Sequence, residues 1–452
     1  MESVSVVGLG KLGSPMAAVF AAKGYRVVGV DVHAPFVEAI NAGRAPVEET
    51  DLQAWIDRSD GRLSATTDYA EAVAQSDMTF VIVPTPSTEA GDFSLDYVLQ
   101  SMAAIGKALR GKPGYHCVVV TSTVMPGATD AVIRPALEAA AGRRVGDNLG
   151  LCYSPEFIAL GSVIRDMLNP DFILIGESDD MAGKHLAEVY RRSCDNEPPI
   201  ARMNFVNAEL TKISVNTYVT TKISYANMLA DLCDRLPGAD VDVVTAAMGN
   251  DARIGRKYLK GAVAYGGPCF PRDNRAFGHL ARTLGANAAL AEATDGLNTY
   301  QNARLSGFVS GRIGTDAHIA VLGMSYKPGT GVTEESPGVA LVRTLLDDGQ
   351  RVTVYDPQAM AGARAQLGDR VAYAESLDSA IAVADVVIIA TAWPEFGRLT
   401  PAQLARDGAR RLVIDCWRLL DRESCAGVCD VVYLGNGALA EEPAAERRAA
   451  AQ

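Results

Sequence analysis

The 452-residue chain lacks several patterns that mark specialised classes of protein. No apolar run is long enough to cross a membrane, and the first residues enter a strand pattern at once, which predicts no signal peptide and a cytoplasmic protein. The eight cysteines lack the paired spacing of a disulfide framework or a zinc site, and we interpret the closest two, Cys425 and Cys429, as structural. The net charge of −12 gives no reason to expect nucleic-acid binding.

The composition is that of a globular protein, with 48% hydrophobic and 21% charged residues. The length exceeds one hydrophobic core and predicts two or three domains. Short apolar runs at 78–83, 117–121, 149–153 and 172–175 alternate with helical patterns such as 95–109 and 129–141. This alternation predicts an α/β fold with a mostly parallel, doubly wound sheet.

The first residues carry the pattern of a dinucleotide-binding unit. An apolar run at 4–9 leads into the turn Gly8-Leu9-Gly10-Lys11-Leu12-Gly13, a helical pattern follows, and the strand at 26–30 ends in Asp31. Such glycines let the backbone approach a pyrophosphate, and the acid accepts hydrogen bonds from ribose hydroxyls. Because Asp31 would repel a 2′-phosphate, NAD is favoured over NADP. The candidate cofactor residues here are Gly8, Gly10, Lys11, Leu12, Gly13 and Asp31.

Polar segments follow the later strands of this unit: Pro84-Thr85-Pro86, Ser122-Thr123-Val124 and Ser154-Pro155-Glu156-Phe157. Ligands of doubly wound sheets bind at the carboxyl ends of strands, so we expect these segments to line one crevice.

A helical pattern without Pro or Gly at about 204–236 predicts a long connecting helix. Lys212 and Asn216 share a face of it, and their apolar neighbours favour a pocket-facing role over a solvated surface. A helical region is expected at about 242–255. A second α/β unit begins near 319, but its glycines do not complete a dinucleotide fingerprint, so we expect it to hold a different nucleotide.

Cys269 lies in a segment of unusual rigidity, residues 264–273. Gly266 and Gly267 let the backbone approach a ligand closely, while Pro268 and Pro271 fix φ on either side. The cation Arg272 follows, and a neighbouring cation favours the nucleophilic thiolate. A buried structural cysteine is the alternative, and the segment alone leaves the two nearly even.

Together these motifs resemble the UDP-glucose/GDP-mannose dehydrogenase family over almost the whole chain. The further matches are Val83-Pro84-Thr85-Pro86, Glu209-Leu210-Thr211-Lys212 with Asn216, Arg253-Ile254-Gly255, Gly266-Gly267-Pro268-Cys269-Phe270-Pro271-Arg272-Asp273, Ser325-Tyr326-Lys327-Pro328 and Glu335-Ser336-Pro337. The resemblance implies two Rossmann-like doubly wound domains joined by a long central helix and a helical dimerisation region. The expected limits are 1–203 for the NAD-binding domain, 204–300 for the central domain, 301–440 for the nucleotide-sugar-binding domain and 441–452 for a disordered tail.

The family oxidises the C6 alcohol of a nucleotide sugar to a carboxylate with two NAD, and UDP-glucose is the default substrate. A cysteine captures the intermediate aldehyde as a thiohemiacetal, which becomes a thioester and is then hydrolysed. By resemblance, Cys269 is the nucleophile, Lys212 stabilises the oxyanion, Asn216 and Asp273 orient the reacting oxygens or a water, Glu156 acts in hydrolysis, and Thr123 supports that water or the cofactor.

The resemblance also implies residues for binding and assembly. Thr85, Pro86, Thr123 and Arg272 would contact NAD, and Phe157, Lys212, Asn216 and Gly266 would contact the substrate. Lys327 and Arg418 would reach the nucleotide sugar, and Tyr258, Leu259 and Lys260 would close over the nucleotide. Arg253 would reach the sugar of the neighbouring subunit, in at least a homodimer built on the long helix. No metal is implied.

Four positions depart from the family's pattern. Leu160 stands where the family commonly has a second glutamate, Phe172 replaces an arginine, Glu334 replaces a cation expected near NAD, and Arg272 replaces a lysine. These changes indicate a divergent subgroup with altered substrate choice.

Three alternatives stay open at this point. The same chemistry would serve a UDP-N-acetylhexosamine or GDP-mannose. A two-electron 3-hydroxyacid-type dehydrogenase shares the N-terminal pattern but has no use for Cys269 or the second α/β unit. A catalytically lapsed NAD-binding sensor gains from Leu160 and Glu334, whereas the complete set of nucleophile residues argues against it.

Overall fold

The computed structural model describes residues 1–314, 316–406, 408 and 410–437. The chain divides into two compact units, Met1–Ser214 and Val215–Gln452, and the division falls inside the helix Phe205–Arg235. The tail expected to be disordered, 441–452, lies outside the described residues. The domain limits expected at 203 and 300 stay predictions.

The first unit is an alternation of strands and helices. Its elements are β1 (Ser3–Val7), α1 (Gly13–Ala22), β2 (Arg26–Val30), α2 (Ala34–Asn41), α3 (Leu52–Asp57), β3 (Leu63–Thr66), α4 (Tyr69–Ala74), β4 (Met78–Val81), α5 (Asp96–Leu109), β5 (His116–Val120), α6 (Arg134–Ala141), β6 (Leu149–Tyr153), α7 (Val163–Leu168), β7 (Ile173–Glu177), α8 (Asp180–Ser193), β8 (Ile200–Met203) and the first residues of α9 (Phe205–Arg235).

The eight strands of this unit form one sheet in the order β3-β2-β1-β4-β5-β6-β7-β8. Neighbouring strands are parallel except β6 and β7, so the predicted mostly parallel, doubly wound sheet is confirmed. Every residue of β1, β4, β5 and β6 is buried, because helices cover both faces of the sheet.

Some elements of this unit differ from the sequence prediction. The strand expected at 172–175 is Ile173–Glu177, and β3 and β8 were not predicted. Both are four residues long, and β8 is only partly buried. Such short, partly polar strands have no clear apolar periodicity, which is why the sequence pattern did not indicate them.

The second unit begins with helices and continues as an α/β sheet. Its elements are the remainder of α9, α10 (Val241–Met248), α11 (Phe270–Thr283), α12 (Ala289–Ser310), β9 (His318–Leu322), α13 (Pro337–Asp347), β10 (Arg351–Tyr355), α14 (Met360–Leu367), β11 (Ala372–Tyr373), α15 (Leu377–Ala382), β12 (Val386–Ile389), α16 (Pro401–Leu404), β13 (Arg411–Asp415), α17 (Arg422–Cys425) and β14 (Cys429–Tyr433).

The second sheet is parallel throughout, in the order β11-β10-β9-β12-β13-β14. This order repeats that of the first six strands of the first unit, so both sheets are Rossmann-like, as predicted. The helix expected at 242–255 ends early, at Met248, because Gly249 and the turns after it interrupt the helical pattern.

Within the described residues, no helix has the length and hydrophobicity needed to cross a membrane. The longest, α9, has 31 residues and carries Glu209, Lys212 and Asp234 among its buried side chains.

Candidate active site

The glycine turn after β1 contains three glycines with different surroundings. A Cβ atom on Gly8 would lie 2.3 Å from Ile82 O, and one on Gly13 would lie 1.7 Å from Gly8 O. These two glycines are therefore required by the packing of the turn itself. A Cβ atom on Gly10 would meet no described atom within 4 Å. The free space beside Gly10 suits the close approach of a dinucleotide pyrophosphate, so the turn fits NAD.

Asp31 lies at the carboxyl end of β2, where the predicted ribose contact requires an acid. Its Oδ2 accepts a hydrogen bond from Leu9 N at 2.7 Å, and its Oδ1 accepts one from His33 N at 2.8 Å. These two bonds fix the orientation of a carboxylate that remains partly exposed. Lys11 is exposed and Leu12 partly buried in the same turn.

The carboxyl ends of β4 and β5 are joined by side-chain hydrogen bonds. Thr85 Oγ1 donates to Thr123 O at 2.8 Å, and Ser122 Oγ donates to Val83 O at 2.7 Å. The segments that contain Thr85, Pro86 and Thr123 are thus brought together, as parallel strands require. The nearby Thr121 Oγ1 is buried and has no hydrogen-bond partner among the described residues.

Lys212, on α9, is held by the segment that follows β6. Its Nζ donates to Glu156 O and lies 4.5 Å from the centroid of the Phe157 ring, with the residue 6% exposed. Phe172 packs against Phe157 with 4.8 Å between ring centroids. Two departures from the family pattern therefore serve packing here, since Phe172 supports this ring and Leu160 packs on the core of the unit.

The carboxyl group of Glu156 is poised to titrate near neutral pH. Burial raises its pKa to about 7, against the opposing effects of the Lys212 charge and a hydrogen bond from Tyr190. Its Oε1 is buried without a hydrogen-bond partner among the described residues. A carboxyl group with such a pKa can exchange a proton during catalysis at neutral pH.

In the second unit, Cys269 occupies the N-cap position of α11. All eight cysteines lie in the described part of the chain; Cys269 is exposed and the other seven are buried. A helix N-terminus favours negative charge, and exposure gives a thiolate access to a substrate. Cys269 therefore differs from the other seven cysteines, which are buried.

Asp273 lies one helical turn after Cys269, and its carboxylate is held on both oxygens. Asn216 Nδ2 donates to Oδ2 at 2.6 Å, and Arg272 Nε donates to Oδ1 at 2.9 Å. Asp273 is fully buried, and its own N–H donates to Cys269 O at 2.8 Å. The positive charge of Arg272, three residues after Cys269 in sequence, is therefore matched by a carboxylate.

The two glycines before Cys269 are needed for contacts within the second unit. A Cβ atom on Gly266 would lie 2.1 Å from Glu335 O, and one on Gly267 would lie 2.5 Å from the Tyr326 ring. Gly267 N also donates to Glu334 O at 3.0 Å. The chain itself therefore approaches these glycines closely, through residues 334–335 and Tyr326. The contact between Gly266 and the substrate stays a prediction.

Arg418 is bound within the second unit on all sides. Its Nη1 contacts Asp240 Oδ1 at 2.6 Å and Asp242 Oδ2 at 3.2 Å, and its Nη2 donates to Leu434 O and Gly435 O at 2.8 Å each. It therefore joins the start of α10 to the end of β14. The contact with the nucleotide sugar that the resemblance implies for Arg418 stays a prediction.

The remaining substrate candidates lie at or near the surface. Arg253 has an 88% exposed side chain that pairs with Asp251 at 2.6 Å. Tyr258 is 50% exposed with a φ of 64°, next to the buried Leu259 and the exposed Lys260. Lys327 is partly buried, with its Nζ 6.0 Å from the centroid of the Tyr326 ring.

The second sheet has its own acid at the end of β10, Asp356, in the same topological place as Asp31. Asp356 is 1% exposed, and its carboxylate accepts six hydrogen bonds from the chain. The donors are Met324 N, Ser325 N, Ser325 Oγ and Trp393 Nε1 to Oδ2, and Gln358 N and Ala359 N to Oδ1.

The sequence did not indicate two asparagines that bind the segment before Cys269. Asn227, on α9, hydrogen-bonds the backbone of Ala262 and Val263, and Asn298, on α12, hydrogen-bonds that of Tyr265. Asn227 lies eleven residues, or about three helical turns, after Asn216 and therefore on the same face of α9. This spacing is the sequence signal that could have suggested a role for Asn227 on that face.

A Rossmann-like sheet with a glycine turn that fits NAD and an acid at the end of β2 is typical of an NAD-dependent dehydrogenase. Three models of the UDP-glucose/GDP-mannose dehydrogenase family match the chain: the NAD binding domain at residues 2–194, the central domain at 206–300 and the UDP binding domain at 320–422. The chain belongs to this family and is an NAD-dependent nucleotide-sugar 6-dehydrogenase.

Individual relatives agree with this assignment. A UDP-glucose 6-dehydrogenase of Haloferax volcanii is 37% identical over 93% of this chain and 97% of its own. A GDP-mannose 6-dehydrogenase of Azotobacter vinelandii is 31% identical over 88% of this chain and 93% of its own. The solved structure of a UDP-glucose dehydrogenase from Pyrobaculum islandicum matches with a TM-score of 0.86 and 37% identity, over 97% of this chain and 98% of that one.

Proposed function

We propose that the protein oxidises UDP-glucose to UDP-glucuronate in two successive hydride transfers. The Haloferax volcanii and Pyrobaculum islandicum relatives are both named as UDP-glucose dehydrogenases and are both 37% identical to the chain, which supports this substrate. The observation that carries the four-electron reaction is the exposed thiol of Cys269 at the N-terminus of α11. An enzyme that removes a single hydride has no use for such a thiol.

The proposed chemistry proceeds through covalent intermediates on Cys269. Loss of one hydride and one proton converts the C6 alcohol to an aldehyde, with NAD accepting the hydride. The Cys269 sulfur adds to C6 to give a thiohemiacetal, whose loss of a second hydride gives a thioester. Water then attacks the thioester carbonyl, the C–S bond breaks, and the carboxylate leaves. The sum is one alcohol, two NAD and one water giving one carboxylate, two NADH and three protons.

We assign stabilisation of the oxyanion to Lys212, and orientation of the reacting oxygens to Asn216 and Asp273. The buried Lys212 ammonium, held by Glu156 O and the Phe157 ring, stabilises the oxyanion that forms at C6. Asn216 and Asp273 orient the reacting oxygens, and their mutual hydrogen bond supports a fixed geometry.

Hydrolysis of the thioester is assigned to Glu156, with Thr123 supporting the attacking water or the cofactor. A pKa of about 7 allows the Glu156 carboxylate to accept a proton from water at neutral pH. Its Oε1, which has no partner among the described residues, is available for this contact.

Ligand binding is proposed to follow the family pattern. NAD is held by the glycine turn and Asp31, with Thr85, Pro86 and Arg272 in further contact. Phe157, Gly266 and the 258–260 loop contact the nucleotide sugar, and Lys327 supplies a cation for its diphosphate. Arg418 keeps this role as a prediction only.

We propose a homodimer built on α9. Large apolar side chains are exposed at seven-residue intervals along this helix, at Tyr218, Tyr225 and Leu232, and a partner would cover them. Arg253 is exposed, as a contact with the neighbouring subunit requires. Light scattering coupled to size-exclusion chromatography tests this assembly. A cytoplasmic location also stays a prediction.

The deciding experiment counts NADH per sugar consumed with UDP-glucose, UDP-N-acetylglucosamine and GDP-mannose. Two NADH per UDP-glucose, with little turnover of the other sugars, supports the proposal. Cys269→Ser should abolish the second hydride transfer. The covalent route is contradicted if the wild type and Cys269→Ser yield the same number of NADH per sugar, whether one or two. NAD binding without turnover of any sugar would instead favour a sensor.

A further inference from the structure

The segment that precedes Cys269 and α11 is buried, although it is not part of a helix or strand. Residues 261–267 are all buried, and no regular element lies between Met248 and Phe270. Buried backbone N–H and C=O groups need hydrogen-bond partners, which a loop cannot supply through a ladder of its own. The partners of this segment therefore decide how firmly it is held.

Two side-chain amides take the place of a neighbouring strand. Asn227 Oδ1 accepts from Ala262 N at 2.8 Å and its Nδ2 donates to Val263 O at 2.9 Å. Asn298 Oδ1 accepts from Tyr265 N at 2.8 Å and its Nδ2 donates to Tyr265 O at 3.0 Å. Each planar amide thus makes both a donor and an acceptor contact, which fixes the backbone in direction as well as in distance.

We propose that Asn227 and Asn298 are positioning residues for Cys269. They anchor the loop to α9 and α12, so that the thiol keeps one place relative to Asn216 and Asp273 in the same unit. The inference rests on the proposed role of Cys269 as nucleophile. The reacting sulfur must meet C6 within a fraction of an ångström, and a loop freed from its anchors would no longer hold it there.

The test compares Asn298→Asp, Asn298→Ala and Asn227→Ala with a matched control, Asn41→Ala. Asn41 Nδ2 donates to Ala65 O and its Oδ1 accepts from Ala65 N, each at 2.8 Å, so the control removes the same pair of bonds in the first unit. Asn298→Asp preserves size and shape but removes the donor and places a carboxylate oxygen against Tyr265 O. If an alanine variant fails to fold, Asn298→Asp can still be assayed and provides the test.

Two readouts separate positioning from general stability. The first is the rate of Cys269 alkylation by iodoacetamide, followed by mass spectrometry from pH 6 to pH 9, which needs no turnover. The second is kcat and KM for UDP-glucose. We expect the Asn227 and Asn298 variants to lower kcat by about tenfold or more with KM changed less than about twofold, and to change the alkylation profile. Asn41→Ala should change neither, whatever its melting temperature.

The outcomes distinguish this inference from the proposed function. Loss of thermal stability matching that of Asn41→Ala, with alkylation and kcat unchanged, overturns the positioning role. An altered alkylation profile in the asparagine variants, together with full two-step activity in Cys269→Ser, supports the anchoring of the loop and overturns the nucleophile instead.

Discussion

Asn216 and Asp273 form a hydrogen bond of 2.6 Å between Nδ2 and Oδ2, which links α9 to the first turn of α11, directly after Cys269. Because Arg272 occupies the other carboxylate oxygen, Asp273 has one fixed orientation in a fully buried place. The residues proposed to orient the reacting oxygens are therefore held by each other as well as by their helices.

Asp273→Asn should lower kcat by about 10²-fold, since the amide removes the negative charge that holds Arg272 and places two amides in contact. It should also lower the free energy of unfolding by about 2 kcal/mol, because the buried donors lose their charged acceptor. Steady-state kinetics and denaturant unfolding measure the two effects. Arg272→Lys keeps the charge and is the control, with an expected loss of only a few-fold; an active Asp273→Asn enzyme would contradict the assigned role.

Glu156→Gln should remove a pH dependence from thioester hydrolysis. Burial raises the pKa of Glu156 to about 7, so the wild-type rate should rise with pH through about 7 as the carboxylate forms. Lys212 and Tyr190 act on this group, so Lys212→Met should move the midpoint upward by removing a charge that lowers the pKa. Single-turnover release of the uronate product measures the rate of thioester hydrolysis. If the rate of Glu156→Gln still rises with pH near 7, the titrating group is not Glu156.

Glu156→Gln should also change how the free energy of unfolding depends on pH. The folded protein holds the Glu156 proton more tightly than the unfolded chain, whose group has the ordinary value of 4.5. The stabilising contribution is therefore present below about pH 4.5 and is lost as the pH rises through 7. Denaturant unfolding from pH 5 to pH 8 should show a flatter dependence for Glu156→Gln than for the wild type.

Gly10→Ala and Gly13→Ala should separate cofactor binding from folding. The Cβ atom of Gly10→Ala enters free space, so stability should change by less than about 1 kcal/mol while NAD affinity falls at least about tenfold. In Gly13→Ala the Cβ atom would overlap Gly8 O, so the protein should be destabilised by several times as much. Calorimetric NAD titration and thermal unfolding test the pair. Equal NAD affinity of wild type and Gly10→Ala would show that the pyrophosphate lies elsewhere.

Arg418→Met should destabilise the second unit by about 3 kcal/mol or more, because Asp240 and Asp242 lose their shared cation. If Arg418 also contacts the nucleotide sugar, KM for UDP-glucose will rise in conditions where the variant is fully folded. Arg253→Met, at an exposed ion pair, is the comparison and should change stability by less than about 1 kcal/mol. Unfolding curves and KM values together show which role Arg418 has.

The parts of the fold that the sequence predicted are those with strong local patterns. The unit β1-α1-β2 follows from an apolar run, a glycine turn and an acid, and the strand-end positions of Thr85, Thr123 and Glu156 follow from parallel topology. Other features depend on contacts without a local pattern. The amide of Asn298 recognises backbone, which carries no sequence signature, and the partners of Arg418 lie far away, Asp240 being 178 residues distant. The short strands β3 and β8 were missed for lack of periodicity.

The hydrogen bonds of the Asp356 carboxylate limit what the second sheet can bind. The strand order of the second sheet repeats that of the first six strands of the first sheet, and an acid follows β2 in one and β10 in the other. Asp31 remains partly exposed, whereas the buried carboxylate of Asp356 accepts six hydrogen bonds. Grafting a glycine-rich turn after β9 would not create a second dinucleotide site, because the acid that should receive the ribose is already fully engaged. An engineer who wished to change the ligand of that sheet would first have to release Asp356 from Ser325 and Trp393.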